Sequence, residues 1–117
     1  FKSRLTMLGR RRLDNTQALL SAVIAEGTPG DFIETGTWRG GSSIFAASVL
    51  EYYGELGKRS VWLADSFKGI PPVKPGLFPV DAAHKGAEML SAGESNSVAD
   101  VISSFRAAGL YDRAPST

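Results

Sequence analysis

The chain has 117 residues, of which 43% are hydrophobic and 21% charged, the composition of one small α/β or helical globular domain with a modest core. A formal net charge of +1 gives no electrostatic case for nucleic acid or a membrane surface, and no apolar run approaches the roughly 20 residues of a membrane span. There is no cysteine, which excludes disulfides and thiolate metal sites and fits a reducing, cytoplasmic compartment.

Residues 1–9 carry Leu5, Met7 and Leu8 ahead of Gly9 and read as a short arm that can pack over a site. Lys2, Arg4, Arg10, Arg11 and Arg12 read as a solvated helix start rather than a nucleic-acid-binding arm. From Leu13 the pattern turns helical. Leu13, Leu20, Val23 and Ile24 share one face at spacings of about 3.6, with Asp14 or Asn15 in the first turn. Gly27 is the expected terminator, and Pro29 forbids continuation. Phe32 and Ile33, between a Pro-Gly pair and a glycine turn, form a short strand. A helix over 44–53 follows, with Ser42 or Ser43 as N-cap and Phe45, Val49 and Tyr52 on one face. Gly54 and Gly57 end it, Tyr52 and Tyr53 pack against it, and Lys58 and Arg59 are solvated.

Residues 60–65 are apolar as far as Asp65, the pattern of a buried parallel strand with Trp62 in the core. Strand, helix and strand in this order form a right-handed crossover. Residues 34–36 and the pair Asp65-Ser66 then share one sheet edge, the edge at which open α/β sheets bind ligands. Residues 67–94 form a long connection rich in glycine and proline, of a length that is functional or disordered in compact domains. It holds a short helix over 81–90, the lone His84, read as solvated, and Lys68 and Lys74 around a proline-rich stretch that could cover an acceptor. From Ser97, residues Val98, Val101, Ile102 and Phe105 mark an amphipathic helix that Gly109 ends.

Two parallel strands make a marginal sheet. The sequence therefore reads as the first half of an α/β domain, a single partial domain over 1–117. Its parts are an N-terminal arm and helix (1–30), a cofactor-binding β-α-β unit (31–66), a long loop (67–94) and a helix (95–112). The start, Phe1-Lys2-Ser3-Arg4, reads as an interior cut. Exposed apolar surface is expected on Val61, Leu63 and the 98–105 helix face, with self-association as its consequence.

The chemistry gathers at Gly36, Gly40 and Gly41. Their G-x-x-x-G-G spacing is neither the G-x-G-x-x-G dinucleotide fingerprint nor a Walker A loop, which also needs a Lys-Ser/Thr pair. Glu34, just before the first glycine, would repel a pyrophosphate unless Arg39 neutralised it, and would attract an ammonium or sulfonium. Asp65 stands where a nucleoside-binding sheet places a carboxylate for the ribose hydroxyls. A cationic ligand with a ribose and no phosphate describes S-adenosylmethionine. The bland alternative pairs Glu34 with Arg39 and uses Asp65 to cap a turn. Trp38 packs either beside the ligand or beneath the N-terminal segment. A nicotinamide-dependent oxidoreductase is disfavoured by the glycine spacing. A non-catalytic fragment that binds a nucleoside or a partner through an open half-sheet is the reading from another class.

These residues also carry a resemblance. Residues 31–41, Asp-Phe-Ile-Glu-Thr-Gly-Thr-Trp-Arg-Gly-Gly, and 61–72, Val-Trp-Leu-Ala-Asp-Ser-Phe-Lys-Gly-Ile-Pro-Pro, together resemble the macrocin O-methyltransferase family. Leu5-Thr-Met-Leu-Gly, Arg12-Leu-Asp-Asn15, Gly27-Thr-Pro-Gly-Asp31 and Gly109-Leu-Tyr-Asp112 are similar to it as well. The resemblance implies a Rossmann-like class I methyltransferase fold, incomplete here, with the first β-α-β unit and its flanking helices. It implies methyl transfer from S-adenosylmethionine to a hydroxyl of a small natural product, a sugar on a macrolide-like compound, in antibiotic biosynthesis. It places Glu34, Thr35, Gly36, Trp38, Arg39, Gly41 and Ser42 around the methionine part of the cofactor. Asp65 and Ser66 hold the ribose and adenosine side, and Met7 closes over it. The implied partner is a small-molecule acceptor, and a homo-oligomer stays open. The family is similar to methyltransferases in which magnesium orients the acceptor hydroxyl. The carboxylates for that metal belong to later strands outside this sequence. No metal ligand or catalytic base is therefore expected here, and these residues alone need not be active.

Overall fold

The computed structural model describes residues 4–69 and 97–111. Most of the expected long loop, with its helix over 81–90, Lys74 and His84, lies outside the described residues, as does the tail from 112. The described elements are α1 (Arg10–Ala25), β1 (Phe32–Thr35), α2 (Gly41–Tyr52), β2 (Val61–Ala64) and α3 (Val98–Ala107). The strands pair in parallel, with Phe32 opposite Val61, Ile33 opposite Trp62, Glu34 opposite Leu63 and Thr35 opposite Ala64. This is a small α/β arrangement with a two-stranded sheet, and the expected β-α-β unit is present.

Helix α1 begins at Arg10, ahead of the expected Leu13. Extended Gly9 supplies the carbonyl that accepts the N–H groups of Arg12 and Leu13 at 3.0 and 3.4 Å. Asp14 consequently falls beyond the first turn. It meets Arg10 at 3.8 Å, an exposed pair of little energetic weight. The helix ends as expected. The amides of Gly27 and Thr28 turn back to the carbonyls of Ile24 and Val23, each at 3.1 Å.

Helix α2 departs from its expected start. Gly40 is its N-cap, in the left-handed region at φ 79°, so Ser42 and Ser43 lie inside the first turn and cap nothing. Glycine is required at 40 twice over. A side chain there would be strained, and its Cβ would come within 3.0 Å of Val101. The small residues Ser43, Ala46 and Ala47, with Leu50, make the buried stripe that seats α2 on the strands. Tyr52 lies off that stripe and is 82% exposed, contrary to the expectation that it packs. It meets Tyr53 edge to face at 5.1 Å, and the Tyr53 hydroxyl reaches Ser21 Oγ at 3.1 Å, joining α2 to α1.

Helix α3 starts at Ser97 in a reciprocal cap. Ser97 Oγ accepts the Asp100 N–H and the Asp100 carboxylate accepts the Ser97 N–H, both at 3.2 Å. Its Val101 and Phe105 close on Ala47, with Val61, Leu63, Phe67 and Leu110 around them. Burying each large side chain here contributes roughly 1.5–3 kcal/mol. The expected exposure of Val61, Leu63 and the 98–105 face holds in part: Val101 and Phe105 are buried, whereas Val61, Leu63 and Ile102 are half-buried and Val98 is exposed, around an apolar cavity of about 600 Å³.

The opposite face of the sheet is the open one. Ile33 is 63% and Trp62 58% exposed. Trp62 is therefore not core, because the strand alternation turns it away from α2. Its indole N–H donates to Asp31 at 2.8 Å. That bond, the Ser60 N–H and the charge of Arg59 hold the Asp31 carboxyl below its ordinary range. Arg59 is not a solvated loop residue either. Its guanidinium donates to the carbonyls of Gly30 at 2.8 Å and Thr28 at 2.7 Å, and to Glu55 at 3.1 Å. Two chain segments, 28–31 and 55–60, are thereby tied together at the N-terminal end of the strands. Among the described residues, no helix is long and apolar enough to cross a membrane.

Candidate functional site

Parallel pairing puts the C-terminal ends of β1 and β2 side by side, so the glycine turn after Thr35 faces Asp65 and Ser66. Gly36 donates its N–H to the Ala64 carbonyl at 2.8 Å, the last rung of the ladder. Its φ is 82°, and a Cβ added there would meet nothing within 4 Å, so the turn is open on that side. Thr35 points to the open face of the sheet. Glu34 points towards α2, where its carboxylate accepts the Ser43 hydroxyl.

Asp65 is the centre of the arrangement. One carboxylate oxygen accepts the N–H of Thr37 at 2.8 Å and of Trp38 at 3.3 Å, with the Thr37 hydroxyl at 3.4 Å. The other accepts the N–H of Phe67 at 2.9 Å and the Ser66 hydroxyl at 3.4 Å. Thr37 is 4% exposed, so this carboxylate satisfies a buried polar side chain. Burial acts to raise the Asp65 pKa. The backbone N–H groups of Phe67, Thr37 and Trp38 together outweigh it and hold the carboxyl below its ordinary value. Trp38 and Phe67 are the non-glycine residues at positive φ among the described ones, at 47° and 53°. Left-handed backbone costs roughly 1–2 kcal/mol per residue, and here each such residue donates its N–H to Asp65.

The N-terminal arm crosses the same turn, but it is held by backbone and by Thr6 rather than by the apolar Leu5 and Met7, which stay exposed. Leu5 offers its carbonyl to the Gly41 N–H at 3.0 Å, and the hydroxyls of Thr6 and Ser42 lie 3.2 Å apart. Arg39 donates to the Arg4 carbonyl at 3.3 Å and lies over the Trp38 ring at 4.8 Å. Gly41 permits the approach, since a Cβ there would stand 2.4 Å from the Leu5 carbonyl group. Met7, next along the arm, is 62% exposed.

The structure thus brings Glu34, Thr35, Gly36, Trp38, Arg39, Gly41, Ser42, Asp65 and Ser66 to one edge, with the arm of Met7 across it. Sequence reasoning missed Ser43, which holds Glu34, and Phe67, the far side of the Asp65 contacts. Both depend on which residues the fold apposes, and neither has a local signal. Thr37 and Thr6 were likewise passed over. A threonine inside a glycine turn was the available clue to the first. Among the described residues, no group of His, Asp and Glu is arranged to hold a metal ion.

A parallel β-α-β unit whose glycine turn is edged by two carboxylates defines an α/β protein with its ligand edge at the strand ends. The chain belongs to the macrocin O-methyltransferase (TylF) family, whose profile residues 2–114 match. It is 53% identical over 76 residues to the 8-demethyl-8-(2,3-dimethoxy-alpha-L-rhamnosyl)-tetracenomycin-C 4'-O-methyltransferase of Streptomyces olivaceus, covering 65% of this chain and 29% of that protein. It is 40% identical over 110 residues to the mycinamicin III 3''-O-methyltransferase of Micromonospora griseorubida, covering 92% of this chain and 42% of that one. The demethyldecarbamoylnovobiocin O-methyltransferase of Streptomyces niveus is 37% identical over 110 residues, 92% of this chain and 40% of its own. The solved structure of the O-methyltransferase NovP superposes with a TM-score of 0.74 at 34% identity, over 95% of this chain and 45% of NovP. The chain therefore spans less than half the length of these relatives.

Proposed function

We propose that this chain is the cofactor-binding half of a Rossmann-like class I O-methyltransferase. It uses S-adenosylmethionine and acts on a hydroxyl of a small natural product, of the kind in which a sugar bears the acceptor. One observation carries the reading. Three of the N–H groups that could cradle a phosphate are already occupied inside the chain, Thr37 and Trp38 by the Asp65 carboxylate and Gly41 by the Leu5 carbonyl. A pyrophosphate would have to displace an anion of the protein itself and lie beside a second one, Glu34. This argues against the nicotinamide-dependent alternative independently of the glycine spacing.

The edge fits the proposed cofactor. Gly36 leaves open space, Glu34 supplies a negative charge for an ammonium or sulfonium, and no phosphate needs a site. When bound, S-adenosylmethionine supplies an electrophilic methyl that passes in line to the acceptor oxygen. Glu34, held by Ser43, orients the cationic end. The backbone of Thr35 with Gly36, Gly41 and Ser42 forms the floor beside it, and Trp38 with Arg39 forms a wall. Met7 is the apolar side chain of the arm available to exclude water. Asp65 and Ser66 stand at the nucleoside end. The acceptor class rests on the relatives, named for a rhamnosyl-tetracenomycin, mycinamicin III and demethyldecarbamoylnovobiocin.

Calorimetric titration of the chain with S-adenosylmethionine, S-adenosylhomocysteine and NAD tests this. The first two should bind and NAD should not, and Glu34→Gln should weaken S-adenosylmethionine by about tenfold, the order of one charged contact. NAD binding more tightly than S-adenosylhomocysteine, or a Glu34→Gln variant that binds unchanged, would refute the assignment.

A further inference from the structure

Hydroxyls on the helices of this chain often turn back on their own helix. Those of Thr16, Ser48 and Ser104 donate to the carbonyls of Arg12, Ile44 and Asp100, four residues earlier, and lie at the surface. Ser43 does otherwise. It is fully buried in the first turn of α2, and its hydroxyl donates across to Oε2 of Glu34 on β1. The acceptor is out of place in the same way. The other large strand side chains turned towards the helices are Phe32, Val61 and Leu63, and Glu34 stands directly opposite Leu63.

The fold alone does not ask for this pair. Ser43 shares its buried stripe with Ala46, Ala47 and Leu50, and alanine is the better helix former. Replacing both partners of a buried hydrogen bond by apolar groups of the same shape can be nearly neutral, whereas either partner left alone is costly. The pair is accounted for if the carboxylate has a second task. Among the described residues its hydrogen bond lies on Oε2, which leaves Oε1 for a cation.

We propose that Ser43 is a positioning residue, which holds one Glu34 oxygen against α2 so that the other is presented to the cationic amino-acid end of S-adenosylmethionine. The helix makes that position firm. Ala46, Ala47 and Leu50 seat it on the strands, and its Gly40 cap is packed beneath Val101. The register of α2 on the sheet therefore sets where the ligand's charge is met. This inference rests on the cofactor reading above, because the second oxygen matters only if a cationic ligand reaches it.

The test combines one substitution with a change of ligand and with loss of its partner. S-adenosylmethionine, S-adenosylhomocysteine and 5′-methylthioadenosine, which keeps the nucleoside and thioether without the amino-acid end, are titrated calorimetrically. The proteins are the wild-type chain, Ser43→Ala, Glu34→Ala and the double variant. Positioning through Glu34 predicts that Ser43→Ala weakens the first two ligands about fivefold, less than the about tenfold of losing the charge itself, and leaves 5′-methylthioadenosine within about twofold. It also predicts no further loss when Ser43→Ala is added to Glu34→Ala. A purely structural Ser43 predicts the same loss for all three ligands, and the same loss with or without Glu34. Either result overturns the proposal, as does unchanged binding of S-adenosylhomocysteine by a folded Ser43→Ala. Ser43→Cys, similar in size and a weak donor, takes the place of Ser43→Ala if that variant does not fold. If Glu34→Ala does not fold, the comparison of ligands decides alone. A wild-type chain that binds none of the three refutes the cofactor reading, an outcome distinct from a uniform loss across ligands.

Discussion

Gly41 is a glycine because of someone else's backbone. Nothing in its own turn demands it, but a Cβ at this position would collide with the Leu5 carbonyl at 2.4 Å. Gly41→Ala should therefore lift the arm off the turn, breaking the Leu5–Gly41 bond and parting Thr6 from Ser42. Global stability should change by less than about 1 kcal/mol, because alanine's better helix propensity offsets one lost hydrogen bond. Local protection should change much more. Trypsin should cut after Arg4 several-fold faster in the variant, since proteolysis follows the population of the opened segment. Equal cleavage rates in the two proteins would mean that Leu5 and Gly41 do not hold the arm.

At the scale of the elements, the Arg59 side chain is the equivalent fastener at the far end of the sheet. It is 13% exposed and spans two carbonyls of the α1–β1 loop and the Glu55 carboxylate. Arg59→Ala should cost about 1–3 kcal/mol, read as a lower urea midpoint with unchanged slope. Arg59→Lys should fall between the two, since a single ammonium cannot reach both carbonyls as a planar fork does. A wild-type midpoint in Arg59→Ala would contradict this role. The sequence presented Arg59 as an ordinary charged loop residue, and the comparison is instructive. What could be read was local: Gly27 and Gly109 as helix stops, the apolar run before Asp65, and the amphipathic spacing of Val98, Val101 and Phe105. The glycine turn and its two carboxylates were legible for the same reason. Hidden were the features set by apposition. The need for glycine at the start of α2 follows from the left-handed backbone of Gly40 and from Val101 crowding that position, and the exposure of Trp62 from which sheet face α2 covers. The donors around Asp65 come from loops 28 residues apart.

For the whole molecule, the acidic groups at both sheet ends act in one direction. Asp31, Glu55 and Asp65 all have carboxyls held below their ordinary values. The Trp62 indole is the leading cause for Asp31 and Lys58 for Glu55, while backbone N–H groups overcome burial for Asp65. In the unfolded chain these groups bind protons at higher pH than in the folded one. Their contribution to stability is therefore complete above the ordinary carboxylate range and disappears as pH falls through their depressed values. Unfolding midpoints in urea should be flat near neutrality and drop between about pH 5 and pH 2. Asp65→Asn should make that drop shallower without abolishing it, because Asp31 and Glu55 remain. A midpoint independent of pH across the acid range would count against these contacts. The two fasteners also bear on how the chain acquires its shape. Isolated two-stranded sheets are marginal because their ends fray. Here Arg59 and Asp31 rivet one end and Asp65 the other, each across a crossover and each to backbone atoms. The segment from 28 to 67 is thus closed at both ends of its sheet by contacts that join residues near its beginning to residues near its end.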